Sequence, residues 1–347
     1  MAAIVCLAVL VGLPGRVPEA RADIEILPPD RHLNGSETLA LLGDLPQRVK
    51  AATFMVFEQN GDEGDPVALG TWVGPMLGLT KNSQLDPAAG LWLAAKGGSP
   101  RLPATVVTRN EALDLALVRL APEAEVEAGA IQPVEIPATQ ADLMLGHWLV
   151  SAGGEDRRPA MLGVVAAPQR EIPSSGAIMG LELGGDGDRG AVTIVNASPG
   201  GPAHAAGLRS GDVLTRFNGA EVTGSREVVR SLRRMRPGDW VRLSVERDQR
   251  DEPLEVRLRL VSRTQVERFW FGNHWTEGGL SARSDDFPEV IHHATPVPAN
   301  QMGGAVFDLE GRWLGLNIAR FDRVTTFALP VSGFREWLER QLERLGE

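Results

Sequence analysis

The sequence contains a single cysteine, Cys6, among 347 residues. One thiol forms no disulfide within the chain and supplies no thiolate cluster for a metal. Spacings typical of zinc sites, such as HExxH or paired Cys and His motifs, are absent. His292 and His293 are adjacent on an expected strand and therefore point to opposite faces. The stretch Gly185–Asp188 lacks the further ligands of a calcium loop and favours a turn. We predict no metal and no cofactor.

An excess of positive charge is also lacking, since the formal net charge is −10. An acidic chain is a poor candidate for non-specific binding of nucleic acid, and we predict no nucleic-acid partner. Glycine and proline, at 39 and 24 residues, are scattered without a period. That distribution favours many short strands and turns over a helical bundle.

The apolar run at the N-terminus, Ala2–Leu13, is too short to span a bilayer. It is followed by Ala20-Arg21-Ala22, a small-residue cleavage pattern, so residues 1–22 are expected to be a signal peptide. No Lys or Arg precedes the run, and an uncleaved membrane anchor is the alternative. Export to the periplasm or another extracytoplasmic space is the prediction, and Cys6 would then leave with the signal.

Short segments of β-type sequence begin near residue 51 and are separated by turn formers. Strands at about ten-residue spacing are typical of a small all-β barrel. The segments are Ala51–Glu58, Ala68–Val73, Leu91–Ala95, Ala104–Thr108 and Leu115–Leu120. We assign residues 23–45 to an N-terminal segment, in which Ser36 is expected to cap a short helix, and residues 46–128 to a first barrel.

A second set of strands is interrupted by a different module. Its members are Val134–Ile136, Trp148–Ala152, Met161–Ala167, Val290–Ala294, Ala305–Asp308, Trp313–Arg320 and Thr325–Leu329. They predict a second barrel in two parts, residues 129–173 and 264–347. The second part ends in an amphipathic helix whose apolar face carries Phe334, Trp337, Leu338, Leu342 and Leu345.

The interrupting module covers residues 174–263. It contains the string Ala-Gly-Leu-Arg-Ser-Gly-Asp-Val-Leu at 206–214, an Asn-Gly turn at 218–219, and an expected helix from about Ser225, its cap, to Met235. The module resembles a PDZ domain of the type found in HtrA proteins. The resemblance implies that main-chain amides of the loop Ile178-Met179-Gly180-Leu181 hold the carboxylate of a peptide C-terminus, with the glycine allowing close approach. It also implies a pocket for the last side chain, formed by Leu181, Leu183, Val228 and Leu232. The alternative is that these residues form the core of an insert that binds nothing.

The two barrels resemble the trypsin-like protease domain of the HtrA (DegP-like) family. The segment Asn300-Gln-Met-Gly-Gly304 is similar to the family's GNSGG, which places Met302 at the nucleophilic serine and Asn300 at the oxyanion glycine. Gly78–Leu85 is similar to the family's histidine segment and has Ser83 at the histidine. The segment Asn110–Arg119 places Asp114 at the orienting carboxylate. A serine protease needs a hydroxyl, an imidazole and a carboxylate together, and two of the three are replaced.

The expected fold is therefore mainly β: a trypsin-like double barrel with an inserted α+β PDZ domain and a C-terminal helix. We predict a non-catalytic protein that binds peptides or protein C-termini as an adaptor, sensor or chaperone-like partner in protein quality control. An active HtrA-like homologue or a second copy of the chain is a further partner that the resemblance implies. The alternative is an active HtrA-type serine endopeptidase with a divergent site, in which Ser83 is one conceivable nucleophile.

Overall fold

The structure is a computed structural model that describes residues 27–59, 64–95, 100–124, 131–155, 158–185, 190–248, 250–270 and 279–346. The expected signal peptide with Cys6 and most of the Gly185–Asp188 turn lie outside the described residues. No helix among the described residues is both long enough and apolar enough to cross a membrane.

The chain begins with a short 3-10 helix, Pro29–Arg31, and two helices, α1 (Ser36–Ala40) and α2 (Leu45–Ala51). Gly35, and not Ser36, is the N-cap residue of α1, so the predicted serine cap was wrong by one position. Leu39, Leu45 and Val49 are buried in the largest hydrophobic core. These helices therefore pack against the body of the protein.

The first barrel is closed and antiparallel, with the strand order β1-β2-β3-β6-β5-β4. Its strands are β1 (Thr53–Phe57), β2 (Ala68–Trp72), β3 (Leu77–Lys81), β4 (Leu91–Ala95), β5 (Leu102–Asn110) and β6 (Leu115–Leu120). The strand β3 was not predicted, and a 3-10 turn, Asn82–Gln84, follows it directly. Val134–Ile136, predicted as a strand, belongs to a connection. The N–H of Val134 donates to the carbonyl of Trp72 at 2.9 Å without a ladder around it.

Two strands of the second barrel follow, β7 (Trp148–Glu155) and β8 (Arg158–Ile172), before the chain enters the inserted module. The module has a five-strand antiparallel path, β10-β11-β12-β14-β15, with β13 paired to β12, and a separate β9–β16 pair at its base. Its elements are β9 (Ala177–Ile178), β10 (Leu181–Gly184), β11 (Val192–Ala197), α3 (Pro202–Ala205), β12 (Val213–Phe217), β13 (Ala220–Glu221), α4 (Ser225–Leu232), β14 (Trp240–Glu246), β15 (Leu254–Arg259) and β16 (Val261–Ser262). Gly224 is the N-cap of α4, which corrects the predicted Ser225 cap.

The chain then returns through α5 (Arg263–Trp270) and completes the second barrel, whose closed order is β17-β20-β19-β18-β7-β8. The last elements are β17 (Phe287–His293), a 3-10 turn (Ala299–Gln301), β18 (Ala305–Phe307), β19 (Trp313–Arg320), β20 (Thr326–Pro330) and α6 (Val331–Leu345). The largest core cluster contains residues of both barrels and continues to Phe334 and Leu338 of α6, while Phe54 and Trp72 belong to a separate cluster of the first barrel. The predicted mainly β fold is confirmed in its architecture: two closed barrels, a domain inserted in the second, and a C-terminal helix.

Candidate functional site

Asp114, at the orienting-carboxylate position, lies immediately before β6 and is 1% exposed. Its backbone has a φ of +59°, a left-handed conformation that Asp tolerates better than most residues. One carboxylate oxygen accepts the Ser83 N–H at 2.7 Å, and the other accepts the Ser83 hydroxyl at 2.8 Å. The carboxylate is therefore bound to the residue at the histidine position, as part of a buried network.

Lys81 completes this network, and the sequence analysis missed it. Its ammonium nitrogen is fully buried and lies 2.8 Å from Asp114 Oδ2, 2.9 Å from the Arg283 carbonyl and 2.6 Å from the Ile318 carbonyl. Burial lowers the pKa of Lys81, while the neighbouring Asp114 acts in the opposite direction. Three acceptors require three N–H donors, and only the ammonium form supplies them. The Lys81 ammonium therefore links the two barrels, and it has no lone pair free to act as a base.

Ser83 is 6% exposed and is covered by the PDZ-like module. A Cβ atom placed on Gly238 would lie only 2.3 Å from the Ser83 Cβ, and Gly238 has a φ of +97°. The segment 235–240, which follows α4, lines a cavity of about 310 Å³ together with Ser83 and Asp114. A side chain as large as histidine at position 83 would meet this segment. The module therefore packs directly on the residue that is predicted at the base position.

Two arginines of β15 hold the module against the first barrel. Arg257 forms a two-pronged ion pair with Asp86, in the loop after Ser83, and lowers the pKa of that carboxyl. Arg259 donates to the Gln84 carbonyl at 3.2 Å. Both guanidinium groups lie over the ring of Trp240, at 4.0 and 4.7 Å from its centroid. The contact between the module and the barrel beside Ser83 thus combines an ion pair with the stacking of two arginines on Trp240.

Met302, at the nucleophile position, is completely buried and packs with Met161 and Val297. Its carbonyl accepts the Leu69 N–H of β2 at 2.9 Å, so this segment also joins the two barrels. The thioether has no proton to lose and no access to solvent. In this structure the side chain is a core residue.

Asn300 and Gln301 belong to the 3-10 turn before Met302. In a trypsin-like site, the amides at positions 300 and 302 would have to point at the oxyanion. Here the Met302 N–H points back to the Ala299 carbonyl at 3.4 Å, and the Gln301 N–H donates to Pro298 at 2.9 Å. The Gln84 side chain donates to the same Ala299 carbonyl at 2.9 Å and fixes the turn. The Met302 amide is therefore directed into the turn in this structure.

His293 is buried and is linked to the Met302 segment by hydrogen bonds through Asn317. Its ring contacts the Thr295 hydroxyl at 2.8 Å and the Asn317 amide oxygen at 3.0 Å, and the Asn317 carbonyl accepts the Gly303 N–H at 2.7 Å. Burial lowers the pKa of His293 to about 4, so the ring is neutral. His292, on the opposite face of β17, is half-buried. Within the described part of the chain, no three His, Cys, Asp or Glu side chains are placed to hold a metal ion.

The expected peptide site borders β10, which is at the opposite end of the strand order from β15. The strand β10 is at the edge of its sheet and pairs only with β11 among the described strands. Gly180, in the loop before β10, is buried with a φ of +74°, and a Cβ there would lie 3.1 Å from Gly201 Cα. Its carbonyl accepts the Ser198 N–H at 2.8 Å, which fixes the loop against β11. A free edge that begins at a rigid glycine loop has the geometry required for strand addition.

The residues expected in the carboxylate loop and the pocket divide into two groups. Met179 and Val228 are 2% and 1% exposed and belong to the core of the module. Ile178 and three expected pocket residues are partly buried: Leu181, Leu183 and Leu232. The partly buried residues flank the β10 edge and α4, where a bound side chain would lie.

Comparison with known proteins agrees with this description of the module. Residues 162–258 match the PDZ domain family, so the chain contains a PDZ domain. A search of curated proteins gives no match. Among solved structures, the chain is similar to the Rv3671c protease from M. tuberculosis in two forms. An inactive-form mutant shares 13% identity over 87% of this chain and 92% of that chain, with a TM-score of 0.39. The active form shares 13% identity over 86% and 85%, with a TM-score of 0.40. Similarity at this level carries no argument about activity.

Proposed function

We propose that this protein is a non-catalytic, HtrA-like double barrel whose PDZ domain binds peptides or the C-termini of partner proteins. The observation that carries the proposal is the edge of β10, which no other described strand besides β11 pairs with, directly after the buried glycine loop at Gly180. An extended peptide added to that edge would gain main-chain hydrogen bonds, and its terminal carboxylate would meet the loop amides.

The absence of catalysis is supported by the cleft. The residue at the base position, Ser83, has no imidazole and is covered by Gly238. The residue at the nucleophile position is the buried thioether of Met302, and its amide donates within the 3-10 turn. Each of these features removes a different requirement of acyl transfer, namely proton transfer, nucleophilic attack and oxyanion stabilisation.

The alternative is a serine endopeptidase of the HtrA type with a divergent site. Ser83 is the only hydroxyl next to the Asp114 carboxylate in the described network. That carboxylate already accepts from the Lys81 ammonium and from the Ser83 amide, and Lys81 has no free lone pair. Nothing in this arrangement favours the alternative.

The remaining parts of the proposal concern location and partners. We propose export by the N-terminal segment to the periplasm or another extracytoplasmic space. There the protein would act as an adaptor, a sensor or a chaperone-like partner in protein quality control. An active HtrA-like homologue or a second copy of this chain is the further partner we propose.

Peptide binding is tested by fluorescence polarisation with labelled C-terminal peptides that end in an apolar residue. We expect a free carboxylate to bind and the same peptide with a C-terminal amide to bind far more weakly. Gly180→Trp should abolish binding, whereas Ala220→Trp, at an exposed position on β13 of the same domain, should not. Equal affinity for acid and amide would refute the carboxylate loop.

Catalysis is tested by hydrolysis of casein and by labelling with a fluorophosphonate probe. We expect neither from the unmodified protein. Labelling that disappears in Ser83→Ala would establish the alternative function instead.

A further inference from the structure

A cavity of about 620 Å³ lies outside the PDZ domain, between α2, the connection 131–141 and the turn that joins β18 to β19. Its volume is within the range of small-molecule sites. The lining includes buried apolar residues of α2, β18 and β19, or directly after α2: Val49, Ala52, Phe307, Trp313 and Leu314. These side chains offer an apolar surface to the body of a ligand.

The connection 131–141 is a wall of this cavity and is fixed by contacts with distant parts of the chain. The N–H of Val134 donates to the Trp72 carbonyl of the first barrel at 2.9 Å. The guanidinium group of Arg335, on α6, donates to the Pro137 carbonyl at 3.2 Å. A wall that is already held in place lowers the cost of ordering the site when a ligand binds.

Arg48, in the last turn of α2, lines the cavity and does not use its side-chain donors within the protein. A Cβ atom placed on Gly311 would lie 2.8 Å from one guanidinium nitrogen of Arg48 and 3.0 Å from the guanidinium carbon, so the group rests on the Gly311 backbone. It forms no ion pair or hydrogen bond with another described residue. The helix dipole favours a cation near this end of α2, but it does not explain why the guanidinium lies on a glycine of another element.

Two carboxylates that line the same cavity leave Arg48 unpaired. Glu310 is exposed and lies 3.7 Å from Arg312, which also pairs with Asp308 at 2.6 Å. Glu135 is exposed and forms no ion pair with Arg48. A guanidinium presents two parallel N–H donors that match one carboxylate. The two glutamates disfavour a second negative charge on the same ligand, because like charges repel at close range.

We propose that this cavity binds a small monocarboxylate with an apolar body. The carboxylate pairs with the Arg48 guanidinium, and the body lies against Phe307 and Trp313. None of the residues in this site belongs to the PDZ domain. The inference therefore goes beyond the proposed peptide-binding function and does not depend on it.

The test is isothermal titration calorimetry with hydrocinnamate, its amide hydrocinnamamide, and benzylmalonate, which adds a second carboxylate to the same body. We expect one hydrocinnamate to bind per chain with a dissociation constant in the millimolar range or below. The amide and the dicarboxylate should bind at least about tenfold more weakly. Arg48→Gln should remove the preference for the acid over the amide. The matched control Arg216→Gln, at an exposed arginine on β12, should keep it.

The loop at Gly180 is a second place where a carboxylate would bind under the proposed function, and Gly180→Trp separates the two sites. Binding that survives Gly180→Trp and is lost in Arg48→Gln supports the cavity. The reverse pattern would assign the ligand to the PDZ domain and overturn this inference, while peptide binding would stand. Equal affinity for acid and amide would refute the role of Arg48. No binding of hydrocinnamate at about 10 mM would also overturn the inference and would not bear on peptide binding.

Discussion

Replacing Lys81 by methionine is the sharpest test of the buried network that joins Lys81, Ser83 and Asp114. The substitution keeps most of the side-chain volume but removes the cation and its three N–H donors. Asp114 would remain buried with only the two bonds from Ser83, and the carbonyls of Arg283 and Ile318 would lose a donor. Breaking a buried ion pair on one side costs about 3–5 kcal/mol in the free energy of unfolding, and we expect Lys81→Met to fall in this range.

The source of the cost can be separated with a second substitution. Asp114→Asn removes the charge that Lys81→Met leaves uncompensated, so the double variant should be more stable than Lys81→Met alone by about 1–3 kcal/mol. Arg340→Met on the exposed face of α6 removes a cation that is 62% exposed and should stay within about 0.5 kcal/mol of the unmodified protein.

Urea denaturation followed by circular dichroism, with m-values compared between variants, measures these differences. A loss below 1 kcal/mol in Lys81→Met would show that the ion pair is not desolvated as the structure describes. Strictly additive effects of the two substitutions would show that Lys81 and Asp114 do not act as a pair.

Three further predictions concern the cleft and its surroundings. Met302→Ser should lower the free energy of unfolding by about 2–5 kcal/mol in urea denaturation because it opens a cavity in the core, whereas Met302→Leu should cost less than about 1.5 kcal/mol. Because burial lowers the pKa of His293 to about 4 from 6.5, protons bind the unfolded chain more readily between these values. Stability should therefore fall as the pH drops from 6.5 towards 4, by up to about 1.4 kcal/mol per pH unit from this residue, and His293→Asn should flatten the profile measured by thermal unfolding. Gly238→Ala should separate the PDZ domain from Ser83 and increase the radius of gyration measured by small-angle scattering. Gly219→Ala should leave the radius of gyration unchanged. An unchanged radius in both variants would contradict the close contact between Gly238 and Ser83.

The barrels were predictable because most of their strands are short segments of β-type sequence separated by turn formers. Trp313–Arg320 coincides with β19, and the apolar face of the last helix contains Phe334 and Leu338, which are buried as expected. The strand β3 was missed because Gly78 and Lys81 interrupt its apolar pattern. Lys81 is buried only because its acceptors come from distant parts of the chain.

The contact between the PDZ domain and Ser83 was not predictable for a related reason. Motifs assign Ser83, Asp114 and Met302 to the catalytic positions, which stays a prediction, but no local signal indicates which residue packs on Ser83. Gly238 does so through a contact between positions 155 apart, inside a different domain. Conversely, Val134–Ile136 has strand-like composition yet lacks a neighbouring strand, and it therefore forms a connection.

The insertion point of the PDZ domain has a consequence for folding. Ile172 of β8 and Phe287 of β17 are paired neighbours in the second barrel but are 115 positions apart in the chain. Once the PDZ domain has folded, the pairing of Ala177 with Ser262 brings its two ends together, and only about 30 residues remain to be closed. The entropic cost of closing this loop then falls by about 1 kcal/mol. The second barrel should thus close faster after the insert has folded, so the PDZ domain would act as a folding nucleus for the barrel around it.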